Sequence, residues 1–191
     1  MSRTSSQQRV FLAGAAVILA ALAALPALAQ APGGPPSPPS ELSQLSFFAG
    51  DWACQGKAEA SPMGPGHATS AKVHIGNDVG GFWYVGHYAE TKTAENSHPM
   101  VFHFVQGYDA AAKTFVMSCF DAFGGHCRQT SAGWQGNKLV YTGESSGAGP
   151  ATPVRDTFTK TGDASLEHAG EMQMEGKWTA TDHETCRRVK K

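Results

Sequence analysis

The sequence predicts an all-β protein, an antiparallel up-and-down β-barrel of about ten strands behind one short helical turn. Three observations carry this reading. Short strand signals follow one another at tight turns, and no crossover helix separates them. Cys54 and Cys186 stand at the two ends of that series, and they are useful as a pair only if the terminal strands meet. An even-numbered antiparallel meander brings its ends together by closing on itself.

Residues 1–29 read as a signal peptide. Arg3 and Arg9 form a basic start, Val10 to Leu25 is apolar, and Ala27-Leu28-Ala29 is a small-residue cleavage site before Gln30. The apolar run falls short of the ~20 residues that span a bilayer, which disfavours a membrane anchor. Residues 30–40 form a linker, because five prolines between Ala31 and Ser40 suit neither helix nor sheet. Residues 41–191 make one domain of ordinary size.

Within that domain, Glu41 to Phe48 is the one helical candidate, with Leu42, Leu45 and Phe48 on one side. Ser40 is placed to cap it and Gly50 to end it, so it reads as a lid or plug. Strands are then expected at Trp52–Ala60, Thr69–Gly76, Phe82–Glu90, Met100–Tyr108 and Thr114–Phe120. Further strands are expected at Cys127–Trp134, Leu139–Gly143, Pro153–Lys160, Ser165–Met172 and Lys177–Arg188. The connections carry turn residues, as in Asn77-Asp78-Val79-Gly80-Gly81 and Gln135-Gly136-Asn137-Lys138. Charged residues and histidines occur on both strand faces, so no lipid-facing band exists and an outer-membrane barrel is disfavoured.

The net charge is −1 with no basic run, which gives nucleic acid and anionic lipid nothing to hold. Four cysteines in an exported chain suggest two disulfides, and four allow three connectivities. The favoured pairs are Cys54–Cys186 across the domain and Cys119–Cys127 around a hairpin. A metal site using His126 beside Cys127, or His183 near Cys186, lacks zinc-finger spacing.

Phe47-Phe48-Ala49-Gly50-Asp51-Trp52 resembles the opening of calycin barrels, whose Gly-x-Trp is covered by an arginine from the last strand. Gly50, Trp52 and Arg187 or Arg188 match that closure. The chain more closely resembles the bacterial domain of unknown function 1579 family. The likeness runs through Gly80-Gly81-Phe82-Trp83, Gly107-Tyr108-Asp109, Arg155-Asp156-Thr157-Phe158 and Cys186-Arg187-Arg188. It implies a lipocalin-like barrel with an interior and no established activity. Small barrels of the nitrobindin type hold haem through a late histidine, and similarity to their opening makes haem at His183 an alternative to no cofactor.

Eight histidines are the over-supplied reactive type, and no His-x-x-x-His motif links them. His87 lies in the aromatic run Trp83-Tyr84-Val85-Gly86-His87-Tyr88, and His103 between Phe102 and Phe104. Lumen candidates are therefore Trp83, Tyr84, His87, Phe102, His103 and Arg155, although strand alternation sends neighbours to opposite faces. Gly-x-Ser-x-Gly and phosphate loops are absent. The expected role is non-enzymatic binding of a small, partly apolar molecule in a barrel lumen. The alternatives are an enzyme using a lumen histidine with Arg155 or Asp156, and an envelope protein docking another protein.

Overall fold

In the computed structural model, which describes residues 34, 36–61, 64–147 and 149–190, the expected strands form and close. The proposed signal peptide and much of the linker lie outside the described residues. Among the described residues eleven strands appear: β1 (Gly50–Ala58), β2 (His67–Asp78), β3 (Trp83–Glu90), β4 (Val101–Asp109) and β5 (Thr114–Asp121). After them come β6 (His126–Ser131), β7 (Trp134–Gln135), β8 (Lys138–Ser146), β9 (Thr152–Gly162), β10 (Ser165–Met174) and β11 (Lys177–Arg188). Strands that follow one another pair antiparallel except β6 and β7, β6 pairs β8, and β1 pairs β11. Ten strands thus form the ring, and β7 is a short hairpin arm on β8.

The seam sets Cys54 directly opposite Cys186, flanked by Trp52 opposite Arg188 and Ala58 opposite Asp182. The two cysteines are disulfide-bonded with Cα atoms 4.0 Å apart, and Cys119–Cys127 bridges β5 and β6 at 5.0 Å. Both expected pairs therefore form.

Strand parity then assigns every side chain to a face. Trp52 and Cys54 are buried, and so are Ala71, Ile75, Tyr84, Phe104, Met117, Tyr141 and Leu166 on the same interior face. Two glycines mark the faces. A methyl at Gly86 would run into the Phe104 ring inside, and one at Gly107 would run into the Trp83 ring outside. Each lacks a side chain because an aromatic ring from the next strand lies across it.

Ser40–Phe48 folds as a 3₁₀ helix rather than an α-turn. Leu42, Leu45 and Phe48 recur every three residues, which is the 3₁₀ period, and all three are buried. Ser40 makes no capping bond; its hydroxyl donates to Glu41 and its carbonyl accepts from Ser43. The helix plugs one end of the barrel. Trp134 Nε1 donates to the Gln44 carbonyl at 2.8 Å, and Phe48 stacks on Trp134 at 5.6 Å.

That contact explains why Cys127–Trp134 is not one strand. Gly133 has φ +95°, a turn that ends β6 at Ser131 and swings Trp134 onto the plug. Elsewhere the differences are end effects. Leu139–Gly143 continues to Ser146 because β6 and β9 both pair with it there.

Candidate functional site

The end opposite the plug holds the polar interior, built by residues of one parity on β2, β3, β6, β9, β10 and β11. Thr69 faces Gly56, and Cys54 lies opposite Cys186 across the closing seam, so Glu184 and Asp182 fall on the inward side of β11. His168 on β10 is directly opposite Glu184 and Phe158, and Asp156 on β9 is opposite Tyr141. The alternation that packs the core therefore also carries these groups inside.

They form two sets of contacts. His168 Nε2 lies 2.9 Å from Asp156 Oδ1, and His168 Nδ1 lies 3.0 Å from Asp182 Oδ2. Gln129 Nε2 donates to the other Asp156 oxygen, and Thr181 donates to Asp182 at 2.9 Å. Glu184 Oε1 accepts from both Thr69 and Tyr88, each at 2.8 Å. Glu184 also lies within 4.8 Å of the two sulfurs of Cys54 and Cys186, but as a disulfide these offer no thiolate to a metal.

Burial alone pushes the His168 pKa down. The Asp182 charge, its hydrogen bonds to Asp156 and Asp182, and the Asp156 charge outweigh that and hold it well above the ordinary histidine range. For Asp182, burial alone pushes upward, and the His168 charge and hydrogen bond reverse it to a net lowering. Tyr88 is raised by burial first and then by the Glu184 charge, so it stays a neutral donor. Burial likewise raises Tyr141.

A stability prediction follows from these directions. The folded pKa of His168 exceeds its unfolded value of about 6.5, so its contribution is complete below that pH. It is lost as pH rises through the folded value. Asp182 behaves oppositely, contributing above its unfolded pKa of about 3.9 and losing that contribution as pH falls through its lowered folded value. Calorimetric melting temperatures of wild type minus His168→Gln should shrink steadily as pH climbs above about 6.5. A difference that stays constant into the alkaline range would show that the imidazole carries no proton there.

Among the described residues, three interior polar atoms have no partner: Gln106 Oε1, Gln129 Oε1 and the Tyr141 hydroxyl. These residues are 1%, 4% and 0% exposed, and they lie deep, next to Asp156 and Met117. The side chains of His168, Asp156 and Asp182 are 19%, 23% and 31% exposed although they point inward. These three side chains thus keep partial exposure above a packed floor. Among these inward groups, three carboxyls face a single imidazole. Aromatic walls flank them, with Tyr88 stacked on Phe102 at 4.6 Å and Phe158 against His168 at 4.9 Å.

Of the six sequence candidates, Tyr84 and Phe102 have the interior parity. Trp83, His87, His103 and Arg155 lie on the outer face, because each is one residue out of phase with the core. His87 faces His103 there, Trp83 covers Gly107, and Arg155 pairs with Glu171 at 2.7 Å and stacks on Trp178 at 4.6 Å. Of the two partners expected for a lumen histidine, Asp156 reaches one, His168, and Arg155 does not. His183 is exposed, out of phase with Glu184 and Cys186, so it does not enter the lumen as a haem ligand would. Sequence reading did not single out His168, Asp182, Glu184 or Gln129. The available signal was parity, since Asp182 and Glu184 share it with Cys186.

The closure expected of Gly50 and Trp52 is made with Arg188, whose guanidinium sits 4.3 Å over the Trp52 ring; Arg187 is exposed. A family model described as protein of unknown function (DUF1579) matches residues 37–188. No curated protein matches the chain. The fold is similar to the crystal structure of Rv2717c from M. tuberculosis, with a TM-score of 0.63 and 13% sequence identity. That match covers 81% of this chain and 100% of the other.

Proposed function

Because the chain belongs to the DUF1579 family, a family of unknown function, we propose from its own chemistry that it is an exported, non-enzymatic binder of a small molecule in the barrel lumen. One observation carries the reading. Asp156, His168 and Asp182 face inward yet keep partial exposure, between aromatic walls and above unpartnered polar atoms. Buried polar atoms without partners are costly, and a bound molecule offering hydrogen bonds relieves that cost.

The excess of carboxyl groups selects the polar end of the molecule. A protonated amine fits beside Asp182 and Glu184, and a flat apolar body fits against Tyr88, Phe102 and Phe158. Export is supported by the disulfide state of all four cysteines, which suits an oxidising compartment, and by the signal-like residues 1–29. Acid–base catalysis gains less support. Both nitrogens of His168 already engage carboxyl oxygens and so are not free to meet a substrate.

Native mass spectrometry of protein exported by its host should reveal a bound small molecule. Phenethylamine, titrated as a probe and followed by NMR, should shift Tyr88, Phe102 and His168, whereas phenylacetate should not. Asp182→Asn should weaken the amine by at least about tenfold, the loss of a charge-assisted contact. An empty exported protein whose interior resonances ignore both probes would end this reading.

A further inference from the structure

Four of the eight histidines lie in one line across the outside of the barrel, away from the lumen. The register sets Asp51 opposite His74, His74 opposite His87, and His87 opposite His103. Phe120 and then His126 continue the row. Directly opposed residues on one sheet face have Cβ atoms about 4.5–5.5 Å apart, so three histidines stand in a row on β2, β3 and β4, with the rings of His87 and His103 in contact.

We propose that His87 and His103, with His74 as third ligand, form a surface site for a divalent late first-row transition ion such as Zn²⁺ or Cu²⁺. The ring spacing supports it. Imidazoles that bind one ion at about 2.0–2.1 Å, with an angle between them of about 90–109°, have ring centres about 4.5–5.2 Å apart. The centroids of His87 and His103 are 4.6 Å apart, with their planes tilted by 39°.

Asp51 supplies the second argument. Its Oδ1 lies 2.6 Å from His74 Nδ1, so the carboxylate accepts that N–H and leaves the lone pair on Nε2. A carboxylate behind a ligating histidine is the arrangement that fixes tautomer and ring direction at metal sites. The His74 side chain is 67% exposed, which leaves its ring room to turn toward the pair. Imidazole ligands select zinc, copper and nickel over magnesium and calcium, which take oxygen donors. This site shares no residue with the lumen, so it stands or falls independently of small-molecule binding.

The test uses the full chain without a histidine tag. Calorimetric titration with Zn²⁺ should give one saturable ion per chain, and Mg²⁺ should give none. His87→Ala with His103→Ala should weaken Zn²⁺ by at least about tenfold, and Asp51→Asn by about tenfold, the range for losing an orienting partner. The Cu²⁺ spectrum should carry couplings from more than one imidazole nitrogen, and fewer in His74→Ala. Zn²⁺ should also protect His87 and His103 of the unmodified protein from diethyl pyrocarbonate, a readout that needs no variant. Equal Zn²⁺ affinity in wild type and the double variant, or carbethoxylation of both residues unaffected by Zn²⁺, overturns the proposal.

Discussion

Replacing Cys54 and Cys186 together by alanine lowers the unfolding free energy by roughly 5 kcal/mol in the chain-entropy account. The link joins residues 132 apart in sequence, and in the unfolded chain it forbids most arrangements of almost the whole domain. In the folded state it costs little to accommodate, because ladder pairing already sets the two residues opposite one another. A domain of this size has about 5–15 kcal/mol in total, so the loss threatens folding itself. Cys119–Cys127 spans only 8 residues and is worth roughly half as much on the same account. Urea midpoints of the two paired-alanine variants provide the check, with m-values showing whether two-state behaviour survives. Similar midpoints for the two variants would mean that the seam holds through its strand pairing, without help from the covalent link.

The barrel was legible in the sequence because its signals are local and repeated. Alternation in Lys72-Val73-His74-Ile75 is visible within a few residues, and so are the turn residues of Gln135-Gly136-Asn137-Lys138. Closure is a long-range property, and it could be read only because a covalent pair implies proximity. Where local signals misled, a distant contact decided the outcome. Trp134 looks like the end of a strand, but its indole is held by the carbonyl of Gln44, ninety residues away.

The polar interior was harder to read. The aromatic run around Tyr84 points to β3 and β4, but neighbouring residues cannot share one face of a strand. His87 and His103 are the histidines with the most aromatic neighbours, yet both are out of phase with the core. His168 has plainer surroundings in Ser165-Leu166-Glu167-His168, and only the register of β9, β10 and β11 brings Asp156 and Asp182 to it. Parity counted outward from Cys186 would have found Asp182 and Glu184, because a disulfide inside a barrel fixes which face is interior. Cys127 anchors Gln129 in the same way, two residues along β6, but the contact of Gln129 with Asp156 crosses from β6 to β9 and only the closed register shows it.

Trp52→Ala carries the second large effect, with an expected loss of about 3–5 kcal/mol from the emptied volume alone. Trp52 is 2% exposed, and its Nε1 donates to the Phe48 carbonyl at 2.8 Å. Arg188 lies over the ring and donates to the carbonyls of Phe47 and Ala49, so one arginine ties the last strand to both the plug and the first strand. Deleting the indole therefore opens a cavity, strips the Phe48 carbonyl of its partner and leaves the guanidinium without its aromatic face. Trp52→Phe keeps part of the volume and loses the N–H, and it should cost about 1–3 kcal/mol, the penalty for an unsatisfied buried carbonyl. Arg188→Ala in the Trp52→Ala background should cost less than in wild type, by about 0.5–2 kcal/mol, because the shared contact is already gone. Denaturant midpoints close that cycle. Amide exchange at the 3₁₀ helix supplies the structural readout, since a plug held by Trp52 and Arg188 must open before the rest of the barrel once either is removed. Strictly additive midpoints would make the stacking a bystander and leave the plug fastened by Trp134 and the apolar face of Leu42, Leu45 and Phe48.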